Sequence, residues 1–297
     1  MNPTNFFKNT TFIICCMIMQ SSLAQDKKSD STTSFSIQID YLSNYIYNGR
    51  ADSLKSPYQI TTASLHFANG VYTNLIANYL LTPGQKRFDF FELDLGYDYS
   101  LGKKISGQLY GSKYFYSGQT NLFNSGITSN IGGSFNIDLG GIQFNHNLDV
   151  FFSSKADLQY TPGVEKTVTI KNADNKTWTI TPSIYAEISS LNYYESSITQ
   201  RGLRGPRQPI ASGVTSTTTL NSKGMKFLDL NFSIPLNYES KNITFAFTPT
   251  YVMPFNKVTT TTVNKTATTT TSFDSTPYAE KNLNNQFNFQ IGIGYKF

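Results

Sequence analysis

The stretch FFELDLGYDY, residues 90 to 99, sets Phe91, Leu93, Leu95, Tyr97 and Tyr99 at alternate positions, with Glu92, Asp94, Gly96 and Asp98 between them. A period of two is that of a β-strand, so the apolar side chains share one face and three carboxyls the other. Two architectures use such a ribbon. In a soluble sandwich the apolar face meets a protein core; in a transmembrane barrel it meets lipid, while the polar face lines a lumen. Three acids on one face cannot enter a dry core, and a wet lumen takes them readily.

The same grammar recurs on both sides of this stretch. QFNFQIGIGYKF, residues 286 to 297, alternates Phe287, Phe289, Ile291, Ile293, Tyr295 and Phe297 with polar residues or glycine. FSIQIDYLSNYIY, residues 35 to 47, sets Phe35, Ile37, Ile39 and Tyr41 against Ser36, Gln38 and Asp40, with Tyr45 and Tyr47 continuing the apolar phase. Further strands are expected at about 58–68, 71–82, 104–117, 125–138, 142–153, 177–189, 192–199, 225–238 and 242–255. The fold expected is therefore all-β, an antiparallel up-and-down transmembrane barrel of about twelve strands, within a range of ten to fourteen. Apart from 192–199, each strand is long enough for the tilted nine to eleven residues that cross a bilayer.

Connections sort by parity. One set is tight: Asn69-Gly70, Leu101-Gly102, Gly140-Gly141, roughly Ser190-Leu191, and Ser240-Lys241. Asn69-Gly70 between two alternating runs predicts a hairpin in which both turn positions take positive φ. The other set is mostly longer and polar, with long loops near 154–176, 200–224 and 256–283. Short turns at one end and long loops at the other are a barrel's asymmetry, and a sandwich has no reason for it. The 192–199 strand is short and poorly patterned. The Thr tract at 259–272 reads either as a hairpin extended beyond the membrane or as a flexible tether.

Composition agrees with lipid. Tyr (19) and Phe (23) are abundant, while charged residues are 14% of the chain against roughly 25% in soluble domains. The formal charge of +5 forms no basic stripe interleaved with aromatics, so nucleic acid is not an expected partner. At the N-terminus, Lys8, the apolar run TFIICCMIM at 11–19 and Ser22-Leu23-Ala24 predict a signal peptide over residues 1–24, followed by a short polar lead over 25–33 and the barrel over 34–297. Cys15 and Cys16 both fall in that signal, which removes disulfides and cysteine metal sites from the mature chain.

The last strand resembles the C-terminal strand of bacterial outer-membrane proteins. That resemblance implies location in the cell outer membrane, contact with its lipid, and recognition of Ile293, Tyr295 and Phe297 by the barrel-assembly machinery. YLSNYIYNGR, residues 41 to 50, is similar to the opening strand of a small family of Gram-negative outer-membrane barrels of unassigned function. HFANG, residues 66 to 70, resembles the HxSNG-like stretch of outer-membrane phospholipases and lipid deacylases, in which a His activates a Ser two residues on. Here that position is Ala68, so no nucleophile stands beside His66, and the expectation is that the chain is not an enzyme.

No metal-binding spacing appears, and His66 and His146 fall on separate strands, so neither metal nor cofactor is expected. Glu92, Asp94 and Asp98 share one face of a strand on which alternate positions put carboxyls about 7 Å apart, a spacing some glycosidases use, but acids lining a wet lumen are the commoner case. The phases direct Asp40, Glu92, Asp94, Asp98, Asp149, Glu187 and Asp229 inward, near Lys113, whose own phase is open. An acid-lined lumen favours cations. The reading is a narrow passive channel for small polar or cationic solutes; the alternative is a closed barrel presenting its long loops, with Arg201, Arg204 and Arg207 in one of them. A degenerate lipid-modifying barrel stands third. Tyr110, Tyr114 and Phe90 could fill the bore, so pore or plug stays open at this stage.

Overall fold

The structure, a computed structural model, describes residues 32–51, 56–120, 122, 124–171, 176–193, 215–221, 224–266, 268–276, 280 and 283–297. The predicted signal peptide, nearly all of the polar lead, and Arg201, Arg204 and Arg207 lie outside these residues. The strands are β1 (Ser34–Leu42), β2 (Ile46–Tyr47), β3 (Arg50–Ala51), β4 (Tyr58–His66), β5 (Val71–Leu80), β6 (Arg87–Leu101) and β7 (Ile105–Tyr116). They continue as β8 (Ser129–Asp138), β9 (Gln143–Phe152), β10 (Ala156–Glu165), β11 (Val168–Lys171), β12 (Lys176–Ile180), β13 (Ser183–Ser189) and β14 (Thr215–Leu220). The last are β15 (Lys226–Ser233), β16 (Leu236–Ser240), β17 (Ile243–Pro254), β18 (Thr260–Lys265), β19 (Thr270–Ser275) and β20 (Gln286–Lys296).

Each wall strand pairs antiparallel with its neighbours in the chain, and β20 closes the ring against β1, with Ser36 opposite Lys296 and Leu42 opposite Gln290. The segments β10–β11, β12–β13 and β15–β16 each count once in the wall, because one follows the other with a two-residue break and both pair with the same neighbouring strands. The result is a closed twelve-stranded antiparallel transmembrane barrel. The breaks lie side by side, where Lys166 N donates to Pro182 O at 3.1 Å and Thr181 N to Pro235 O at 2.9 Å. A proline cannot donate to the ladder, and these three strands share one seam in consequence.

The alternation sorts side chains as the fold requires. Leu75, Leu93, Leu95, Leu109, Ile131, Leu148 and Ile293 point outward and are exposed, while Asp89, Glu92, Asp94 and Asp149 of the same strands are buried inside. That distribution is the reverse of a soluble protein's and is stable only with hydrocarbon outside. Aromatics gather at both rims: Phe35, Tyr295 and Phe297 at the end holding the termini, and Tyr79, Phe88 and Phe91 at the other, with Phe297 5.3 Å from Phe35 and Phe88 5.4 Å from Phe91. Such rings suit the membrane–water boundary.

Two strand expectations are corrected. The long loop expected at 154–176 is instead β10 and β11, followed by the β11–β12 hairpin, and only residues 153–155 connect β9 to β10. Pro162 and Gly163 obscure a regular alternation there, and the ladder to β13 skips at Thr161 and Pro162. β13 pairs directly with β15, so the wall has no strand between them where one was expected at 192–199; residues 192 and 193 are not extended, and 194–199 lie outside the described residues. One omission and one excess left the count of twelve unchanged. The turn near 190–191 likewise becomes part of a connection running from 190 to 225.

The parity rule survives with one short exception. At one end the connections are 67–70, 102–104, 139–142, 172–175 and 241–242; at the other they are 43–57, 81–86, 117–128, 153–155, 190–225 and 255–285. We call these the turn end and the loop end. At the loop end, β14, β18 and β19 form a separate three-stranded sheet, so the Thr tract is a hairpin standing beyond the wall.

The type of the 69–70 turn is also corrected. Gly70 has φ +90° but Asn69 does not enter the positive region, and Gly70 N donates to Phe67 O at 3.0 Å. The Asn-Gly turn with both φ positive is instead Asn48-Gly49, at +49° and +72°, between paired Tyr47 and Arg50.

Candidate functional site: the acid-lined interior and its plug

The Asn48-Gly49 turn matters because its hairpin does not continue the wall. After Leu42 the chain leaves β1, and Tyr45 and Tyr47, expected on the lipid phase, are buried inside the barrel mouth. There they join Leu122 and Ile127 from 117–128, Leu191 and Tyr193 from 190–225, and Val258 from 255–285, against Tyr58, Phe90, Tyr114 and Phe151 of the wall. The rings meet edge to face, with Tyr47 5.2 Å from Tyr193 and Tyr45 5.8 Å from Tyr58, a favoured arrangement. Asn124 donates to the Tyr45 hydroxyl at 2.8 Å. The loop end is therefore filled by an apolar plug.

One ion pair ties the plug together. Arg50 Nε donates to Glu280 Oε1 at 2.8 Å, and neither side chain has any exposed surface. Arg50 Nη1 donates to Asn48 O at 2.6 Å and Nη2 to Asn256 O at 3.1 Å, while Glu280 Oε2 accepts from Val258 N at 3.0 Å. Two loops far apart in the chain meet at these two residues. Nothing local in the sequence pairs them, and neither Arg50 nor Glu280 is a residue that alternation can single out.

Beside the plug and beyond it toward the turn end, the inner face is polar. Asp40, Glu92, Asp94, Asp149, Glu187 and Asp229 are buried on the inner face, and Asp98 lies further along, 38% exposed. Asp40 accepts from Gln38 at 2.9 Å. Asp149 accepts from Tyr110 at 3.0 Å and Asn130 at 2.9 Å, and Glu187 from Gln159 and Thr161. Asp229 stands opposite Glu187 and accepts from Asn231. Asp98 accepts from Gln108 at 2.8 Å and lies 3.9 Å from His66, which stacks on Tyr72.

Three further acids belong to this interior: Asp89, held by Tyr58 at 2.6 Å and Arg87 at 2.8 Å; Asp157, which accepts the Asn192 and Tyr193 amides; and Glu165, which accepts from Tyr185. Asp157 and Glu165 sit on β10, and the outward phase of Leu158, Tyr160 and Val164 is the sequence signal that places them inside. Lys113 shares the outward phase of Leu109 and Phe115, so it is not a partner of the inner acids. His146 faces outward too, 2.7 Å from the Tyr160 hydroxyl, on the opposite face of the wall from His66. Among the described residues, no three or more His, Cys, Asp or Glu are grouped to hold a metal.

Tyrosines lie flat on this inner wall. Tyr72, Tyr110 and Tyr185 each cover a glycine of a neighbouring strand, Gly96, Gly132 and Gly163, and a Cβ there would enter the ring. The rings therefore hug the wall instead of crossing the bore. Gly96→Val is expected to lower stability in detergent urea titrations by about 1–3 kcal/mol, the usual cost of overpacking. Adding Tyr72→Ala should recover part of that loss, and strict additivity would mean the two do not touch.

Compared by sequence, the chain matches no protein-family model and no curated protein. Among solved structures it is similar to the KdgM porin, at 12% identity and a TM-score of 0.44, over 88% of this chain and 99% of that one. It is also similar to the NanC porin, at 12% identity and a TM-score of 0.46, over 89% of this chain and 100% of that one. These likenesses are distant, and the fold assigned above rests on the closed ladder from β1 to β20.

Proposed function

We propose that the protein is an integral outer-membrane barrel that admits small cationic or polar solutes to an acid-lined interior, and that passage requires the loop-end plug to move. In this reading the turn end faces the periplasm, and Ile293, Tyr295 and Phe297 serve the assembly machinery. One observation carries the cation preference. Among the described residues, Arg50 is the one buried basic side chain, against buried Asp40, Glu92, Asp94, Asp149, Glu187 and Asp229. A low-dielectric wall around fixed negative charge raises the local concentration of cations and repels anions. The apolar plug favours a second reading, a closed barrel that presents its loops and transports nothing.

Planar-bilayer recording separates the two. Under a tenfold KCl gradient, openings with a reversal potential of cation sign are expected, and Arg50→Ala should make them more frequent. Anion selectivity would overturn the acidic-interior argument. Absence of openings in both the parent and Arg50→Ala would leave the closed barrel.

A further inference from the structure

We propose that Asn74, Asp94 and Ser112, with Glu92 beside them, form a binding site for a calcium-type divalent cation; this rests on the reading of the interior as a cation-attracting surface. Cross-strand register sets Asn74 opposite Asp94, and Asp94 opposite Ser112. An amide, a carboxylate and a hydroxyl from three neighbouring strands thus stand in a row on the inner wall. Glu92 is two residues along β6 on the same face. All four are almost wholly buried, at 2%, 3%, 0% and 1% exposure for Asn74, Asp94, Ser112 and Glu92.

Their hydrogen bonding is incomplete. Asn74 Nδ2 donates to Asp94 Oδ2 at 3.3 Å, the Ser112 hydroxyl and the Glu92 carboxyl lie against the Asp94 carboxyl, and Asn74 Oδ1 is left with no partner. A buried acceptor without a donor is costly, and more so when it carries charge. The neighbouring base on β7, Lys113, is on the other face of the wall. What the row lacks is positive charge. With both carboxyls deprotonated on binding, two anionic and two neutral oxygens are hard ligands, the mixture Ca²⁺ takes in its six to eight positions, whereas Zn²⁺ favours nitrogen and sulfur. Adjacent strands lie about 4.8 Å apart, close to twice the roughly 2.4 Å Ca–O distance, so one ion can bridge Asp94 and a neighbouring strand; β5 and β7 are about twice as far apart, and Asn74 and Ser112 reach the same ion by leaning toward Asp94 between them. Mg²⁺ demands stricter octahedral geometry and sheds water reluctantly. Toward the turn end, Gly96 and the buried ring of Tyr72 separate the row from Asp98, whose side chain is 38% exposed, so an ion entering from that end has to pass the Tyr72 ring.

The test is calorimetric titration of the detergent-folded barrel with CaCl₂, using retained heat-modifiable gel mobility to show that each variant folds. One saturable site is expected, with a Kd of about 10⁻⁴–10⁻³ M, the range of weak calcium modules. Glu92→Gln and Asp94→Asn should each weaken it tenfold or more and Ser112→Ala severalfold. Glu165→Gln, elsewhere on the inner wall, should bind as the parent does. No saturable heat at millimolar Ca²⁺, or parent-like affinity in Asp94→Asn and Ser112→Ala, overturns the site. The titration involves no passage, so its failure is distinct from that of the channel reading: cation-selective openings without Ca²⁺ binding refute the site alone, and Ca²⁺ binding without openings sustains it.

Discussion

Arg50→Ala is expected to release the loop-end plug while the wall stays folded. The substitution leaves the Glu280 carboxylate buried with its Val258 amide contact but no counter-charge. Breaking one side of a buried pair costs about 3–5 kcal/mol, because the charge left behind has lost water and partner together. The wall strands hold one another through their own ladders and do not depend on this pair, so the loss is local. Amide hydrogen exchange at residues 43–51 should accelerate by roughly a hundredfold or more, with each 1.4 kcal/mol counting tenfold. Exchange on β5 and β6 should stay unchanged. The paired replacement Arg50→Met with Glu280→Leu should restore much of the protection, since neither buried charge remains. Unaltered exchange in Arg50→Ala would mean that ring packing, not the ion pair, retains the plug.

The second large effect falls on the opposite face. Leu95, midway along β6, points outward and is 53% exposed. On a soluble protein, a surface Leu→Arg is normally within about 0.5 kcal/mol of neutral. Here the outside is hydrocarbon, and Leu95→Arg should destabilise the folded barrel in lipid vesicles by about 2–4 kcal/mol, the cost of a charge near the bilayer midplane. Leu101→Arg, at the turn-end tip of the same strand, should cost about 0–1 kcal/mol. Equal, small losses at both positions would contradict lipid contact.

Legibility in the sequence followed the range of the interactions concerned. β6 and β20 were readable because an unbroken period of two needs no knowledge of neighbours. β10 was missed because Pro162 and Gly163 mark a turn when read locally, whereas in the barrel the proline occupies a place where the ladder to β13 skips. Tyr45 and Tyr47 fit the lipid phase by spacing alone. Leaving β1 at Ser43 and reversing at Asn48-Gly49 sends them inward, and the Asn-Gly pair was a visible cue for that reversal.

By itself the sequence determined the two-faced strands, their closure into a barrel of about twelve, and the inward phase of its acids, since side-chain alternation is a property of each strand alone. Only the tertiary structure decided that an apolar plug fills one end of the bore with acids around and beyond it, that Arg50 meets Glu280, and that Asn74, Asp94 and Ser112 share a row. Those facts depend on register between strands and on loops 230 positions apart, and no local pattern encodes a partner at such a distance.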